Sequence, residues 1–180
     1  MEDLSLHILD IVENSIRAKA SRIMIKVMED IEKDSLIIEI RDNGQGIDEE
    51  TIKKVLDPFF TTRTTRKVGL GLPLLSQAAR ESGGDVQIES EVGRGTRVKA
   101  TFGYSHIDRK PLGNMEATLR ALIVGNPEID FIYEHKKGEL EYHLDTKGIR
   151  AETKGRAISK SSERKIDNQI MGLNCDSLNY

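Results

Sequence analysis

The sequence predicts an α+β chain, a two-layer sandwich in which helices cover one face of a mixed sheet, with a small helix–hairpin extension. Three observations predict it. Apolar residues recur at helical spacing near the start of the chain. Period-two segments follow, separated by short polar turns. Helices and strands then intermix, and packing helices on a sheet buries the apolar side of both.

Each element has its own signal. Residues 3–19 form an amphipathic helix whose stripe is Leu4, Ile8, Ile11, Val12 and Ile16. Ile23, Ile25 and Val27 alternate with Met24 and Lys26 as a strand, and Leu36–Ile40 is a second, more buried one. Asp48 caps a short helix with Glu49 and Glu50 in its first turn, where the helix dipole favours acids. A helix over 70–82 tolerates Pro73 in its first turn and ends at Gly83–Gly84. Asp85–Ser90 and Thr96–Phe102 are strands around a Val92–Gly95 turn. These elements form a first unit, residues 1–103. Residues 104–150 form the extension. Asn114–Val124 is helical there, and Phe131–His135 and Leu140–Leu144 make a hairpin around Lys136–Gly138. Residues 151–180 are rich in Lys, Glu, Ser and Asn and read as a disordered or loosely attached tail.

Composition narrows the function classes. A hydrophobic share of 37% supports a packed core, made mostly of aliphatic residues because the chain has no tryptophan and four phenylalanines. The 27 basic and 30 acidic residues leave a net charge of −3, with no general attraction to nucleic acid or anionic lipid. Cys175 is the one cysteine, which points to a reducing compartment. No apolar run reaches the roughly 20 residues of a membrane span, and Met1–Asp10 lacks signal-peptide character. A soluble, cytoplasmic protein is expected.

Three segments carry candidate chemistry. Asp10, Asn14 and Arg17 share a row of the first helix, with His7 on the same side. That row is either a solvated face or a cation and phosphate site. In the second reading the Asn14 amide oxygen ligates Mg²⁺, Asp10 orients water and Arg17 meets phosphate. Asp42-Asn43-Gly44-Gln45-Gly46 follows an apolar strand. It is either a plain turn or one whose glycines, Gly44 and Gly46, admit a flat ligand while Asp42 accepts from an exocyclic amine. Gly69, Leu70, Gly71 and Leu72 open a helix and can offer backbone N–H groups to an anion. The basic stretch before them, with Thr62 and Lys67, is either a surface loop or a lid over phosphates. A P-loop is absent, and Leu74 leaves the Rossmann glycine pattern incomplete.

In order along the chain stand Asn14, DNGQG at 42–46, DPFFTTR at 57–63, GLGL at 69–72 and GRGT at 93–96. In that order they resemble the GHKL superfamily, which takes in gyrases, heat-shock chaperones, histidine kinases and MutL. The resemblance covers about residues 4–102. It implies the family's α/β sandwich and an ATP site with Mg²⁺. Asn14 falls on the metal ligand, and Asp42 on the reader of the adenine amino group. Gly44, Gly46 and Ile47 stand beside the base, and Phe59 lies in the phenylalanine motif before the lid. Gly69 and Gly71 match the lid glycines, and Thr96 the threonine near adenine.

Helix one looks like MutL, but where MutL has a water-activating glutamate this chain has Asp10, one methylene shorter. Residues 57–63 and 69–96 look like a sensor histidine kinase. With the asparagine helix so near Met1, neither a phosphoacceptor hairpin before it nor self-phosphorylation on His7, His106, His135 or His143 is expected. Three readings stay open. The chain is a kinase for a partner protein with Asp10 as base, or a slow MutL-like ATPase clamp that can pair as a homodimer, or a nucleotide-sensing module. Ser105–Asn114 and a hairpin exposing Tyr133 and Tyr142 suggest a docking surface; the alternative is that these tyrosines pack the hairpin onto the domain.

Overall fold

A computed structural model describes residues 3–56 and 71–148, together with Arg164, Ile166, Asp167, Asn168 and Ile170. The elements run α1 (Leu4–Arg17), β1 (Arg22–Asp30), β2 (Ser35–Asp42), α2 (Glu49–Leu56), α3 (Gly71–Glu81), β3 (Asp85–Glu91), β4 (Gly95–Gly103), α4 (Met115–Gly125), β5 (Asp130–Lys137) and β6 (Leu140–Asp145). The expected α+β sandwich is there.

The strands form one sheet in the order β3-β4-β2-β1-β5-β6. All neighbours are antiparallel except β1 and β5, which run parallel. The register follows the period-two pattern. Ile25 stands beside Ile40 on one side and Tyr133 on the other, and Ile40 beside Val98. These side chains share one face, because residues two apart in a strand point the same way. That face joins Leu4, Ile8, Ile11 and Val12 of α1, Leu75 and Ala79 of α3, and Leu119, Leu122 and Ile123 of α4 in a single core. The opposite face carries a charge lattice. Glu39 bonds Arg41 and Arg97, Arg97 also bonds Glu89, and Lys26 pairs with Glu134 at 3.0 Å.

The helix and hairpin after residue 104 are formed as the sequence predicts. The parallel pairing with β1 makes the hairpin a continuation of the same sheet. Tyr133 is wholly buried, which is the packing alternative and not the exposed docking one; its place beside Ile25 puts it on the core face. In the segment expected to be loosely attached, Ile166 and Ile170 are buried in the core. Asp167 meets Arg120 of α4 at 3.2 Å. The i, i+4 spacing of the two isoleucines puts them on one helical face.

Tyr133 also begins a buried polar chain. Its hydroxyl bonds His135 Nδ1 at 3.0 Å, and His135 Nε2 bonds Glu29 Oε1 at 2.8 Å. Burial works to raise the Glu29 carboxyl, but the hydrogen bond and charge of His135, joined by Lys137 and Tyr104, together hold the group below its ordinary value of 4.5. Its stabilising contribution is therefore complete above 4.5 and lost as pH falls through the lower folded-state value. Denaturant unfolding of Glu29→Gln across pH is expected to decline less steeply below 4.5 than that of the unsubstituted protein.

Candidate functional site

The site lies at one end of the covered face, where β2 and β4 meet the C-terminal half of α1. Asp42 is the last residue of β2 and shares the parity of Ile38 and Ile40, so its carboxylate points toward the helices rather than solvent. Ser15 of α1 donates to Asp42 Oδ2 at 2.7 Å. The backbone N–H groups of Gly44 and Thr96 donate to Oδ1 at 2.8 and 3.3 Å. A carboxylate offers about four acceptor positions. Three are used, and the one left is on Oδ2.

Thr96 and Ser90 share that inward parity on β4 and β3. The Ser90 hydroxyl donates to the Gly95 carbonyl at 2.9 Å and accepts from the Ile47 N–H at 2.7 Å. Its contact with Thr96 Oγ1 is 2.8 Å and either hydroxyl can donate it; with the Ser90 proton on the Gly95 carbonyl, Thr96 is the donor and its Oγ1 presents lone pairs. Asp42 and Thr96 together present acceptors, a surface suited to an N–H donor.

The glycines of the turn serve the protein's own packing. Gly46 has φ +70° in the left-handed region, and a Cβ there would run into the Glu91 carbonyl. A Cβ on Gly44 would lie 2.8 Å from the Ala18 carbonyl oxygen. Asn43 ties this turn to the start of β1, accepting from the Ser21 and Arg22 N–H groups at 2.9 Å each. Close approach is needed, as the sequence suggests, but to neighbouring backbone. Gly46→Ala is expected to lower stability by about 1–3 kcal/mol from the backbone conformation alone, with the collision adding to it; thermal unfolding measures this.

On α1, the Asn14 Oδ1 accepts from Arg17 at 3.0 Å, and Arg17 also bonds Glu13 at 2.8 Å. The Arg17 side chain is 63% exposed, so these contacts are readily exchanged for a ligand. Asn14 Nδ2 is buried without a hydrogen-bond partner among the described residues. Asp10 stands against the first residue of α3: a Cβ on Gly71 would lie 2.8 Å from the Asp10 Cβ and 3.3 Å from its Oδ2. The structure thus brings α1 to both the Asp42 turn and the start of α3. Leu72 is buried in the core, 4% exposed. Phe59, Thr62, Lys67, Gly69 and Leu70 lie outside the described residues.

The donors suit a hydrated Mg²⁺. Asn14 offers one hard oxygen, and the described residues hold no cluster of three or more His, Cys, Asp or Glu side chains fit for a metal. Mg²⁺ keeps several waters and takes few protein ligands, completing its shell with phosphate.

Ser15 and Ser90 were not among the residues singled out from the sequence. Their signal is a polar residue at a core-facing position: Ser15 lies i+4 from Ile11, and Ser90 two beyond Ile88.

The model of the family described as histidine kinase-, DNA gyrase B-, and HSP90-like ATPase matches residues 2–106. The chain is 33% identical over 103 residues to a putative sensor protein of Shewanella frigidimarina, covering 56% of this chain and 16% of that protein. It is 42% identical over 89 residues to the sensor protein kinase FleS of Pseudomonas aeruginosa, covering 49% of this chain and 22% of that one. The chain therefore spans under a quarter of either relative. In fold it is similar to the Aquifex aeolicus MutL ATPase domain complexed with ADP, with a TM-score of 0.55 and 19% identity over 96% of this chain and 70% of that one. No helix of the described residues is long and apolar enough to cross a membrane.

Proposed function

Because this chain belongs to the family of histidine kinase-, DNA gyrase B-, and HSP90-like ATPases, we propose that it binds Mg²⁺–ATP between α1, the Asp42–Gly46 turn and the start of α3, and passes the γ-phosphate to a partner protein or, slowly, to water. The observation that carries this reading is the acceptor pair at the strand ends. The unused position on Asp42 Oδ2 and the lone pairs of Thr96 match the exocyclic amine of adenine and mismatch the carbonyl of guanine.

Asn14 would hold Mg²⁺, which would supply positive charge to offset that developing on the phosphate. Arg17 exchanges its contact with Glu13 for a phosphate oxygen. The Asp10 carboxylate takes the proton of the attacking hydroxyl or water as its oxygen bonds the γ-phosphorus and ADP leaves. The partner is a protein, in keeping with the kinase relatives, and the protein works in the cytoplasm.

The test combines calorimetry with γ-labelled ATP. ATP is expected to bind in preference to GTP. Asn14→Ala is expected to remove most of the Mg²⁺ dependence of binding. Label should pass to a partner in a lysate, or appear as free phosphate, and Asp10→Ala should stop both. Binding without either product would leave ATP as a ligand that acts only by favouring one conformation.

A further inference from the structure

Ser90 joins the two turns that frame the site. Its hydroxyl accepts from the Ile47 N–H at 2.7 Å, donates to the Gly95 carbonyl at 2.9 Å and lies 2.8 Å from Thr96 Oγ1. A hydroxyl has one proton and two lone pairs, so these three contacts use it up. The Gly93 N–H donates to the Gln45 carbonyl at 2.8 Å, a second tie between the same turns. A side chain on Gly95 would collide with the Asp42 carbonyl, so main chain packs on main chain there. The carbonyl that takes the Ser90 proton is thus held in place by the backbone around it.

The consequence falls on Thr96, which stands directly opposite Ser90 in the β3–β4 pair. A threonine hydroxyl left to itself rotates to donate or to accept, as its neighbour requires. That freedom matters because Asp42 alone separates purines poorly. Adenine has an amine on carbon 6 and a bare nitrogen beside it. A 6-oxopurine has a carbonyl on that carbon and an N–H beside it. The carboxylate can accept from the amine of the first or from the ring N–H of the second. A freely turning Thr96 would then donate to the carbonyl, and both bases would find two partners. With its proton held by Ser90, Thr96 offers the carbonyl only lone pairs, and the 6-oxopurine is left with an unpaired acceptor.

We propose that Ser90 is the residue that makes the site selective for a 6-aminopurine over a 6-oxopurine, by holding the Thr96 proton away from the base. This rests on the reading that adenine sits against Asp42 and Thr96. Ser90 acts through Thr96 and is a positioning residue. Selectivity of this kind comes from the group left unpaired in the wrong complex as much as from the bond made in the right one.

The test is calorimetry of the full chain with Mg²⁺–ATP and with Mg²⁺–ITP, whose hypoxanthine carries the carbonyl without the extra amine of guanine. The unsubstituted protein is expected to favour ATP. Ser90→Ala should narrow the ATP:ITP affinity ratio by about 10-fold, the worth of one hydrogen bond. Loss of the Ile47 and Gly95 bonds weakens both nucleotides alike and cancels in the ratio. Ser90→Thr, which keeps the hydroxyl, should hold the ratio. In a Thr96→Val background Ser90→Ala should no longer move it, since no hydroxyl is left to orient. Should Ser90→Ala fail to fold, Ser90→Cys serves in its place, its thiol being a weak donor and acceptor. A ratio unmoved in Ser90→Ala, or moved equally with and without the Thr96 hydroxyl, overturns the inference and leaves the ATP reading standing. If ATP does not bind the unsubstituted chain, both fall.

Discussion

Asp42→Ala is expected to weaken Mg²⁺–ATP binding by roughly 100-fold or more in calorimetry, with the fold retained by circular dichroism. A hydrogen bond to a charged group is worth about 1.5–3 kcal/mol, and about 1.4 kcal/mol is tenfold in affinity. Losing the contact to the adenine amine thus accounts for about one to two decades. The rest comes from the turn, because the same carboxylate holds the Gly44 and Thr96 N–H groups and the Ser15 hydroxyl. Ser15→Ala separates the two effects. It removes the hydroxyl that orients Oδ2 while leaving the carboxylate, and a loss of about 3–10-fold is expected. Unchanged affinity in both Asp42→Ala and Asn14→Ala would mean that nucleotide binds elsewhere or not at all.

Phe131→Ala is expected to destabilise the whole domain by about 3–5 kcal/mol, the usual cost of removing a buried aromatic ring. Phe131 is 1% exposed and stands beside Ile23 in the parallel pair, and its N–H donates to Thr146 Oγ1 at 2.9 Å. Because β1 connects this pair to the Asp42 turn through Asn43, the loss should spread to the site. Denaturant unfolding, followed by far-ultraviolet circular dichroism and tyrosine fluorescence, should give one transition at a lower midpoint. Two separate transitions, with only one of them shifted, would show that residues 130–145 fold on their own.

The sheet and helices were legible because their signals are local. Alternation of Ile23, Ile25 and Val27, the stripe on α1 and the Gly83–Gly84 stop each act within a few residues. What joins β1 to β5 is not local. Nothing in the Phe131–His135 alternation says which strand it will meet, and so the choice between an exposed and a packed Tyr133 stayed open. At the site, Asp42 and Thr96 could be named from their motifs, but the motif gives no direction for their hydrogen bonds. That direction depends on Ser15 and Ser90, ordinary serines until the strands are in register. The glycines show the reverse: their need for close approach was visible, and the neighbouring carbonyls that impose it were not.

The parallel pair has a consequence for how the protein is made. Arg22 aligns with Asp130 and Val27 with His135, so β1 is synthesised long before its second neighbour. Until then β1, with its run of Ile23, Ile25 and Val27, is the open edge of a four-stranded sheet, a template for pairing with other chains. Pairing across so long a loop is slow, because loop closure comes before the contacts that reward it. The emerging chain should thus be most prone to aggregation after β4 is complete and before β5 leaves the ribosome. Lys26, the charged residue between the apolar ones on β1, would work against that association during the wait.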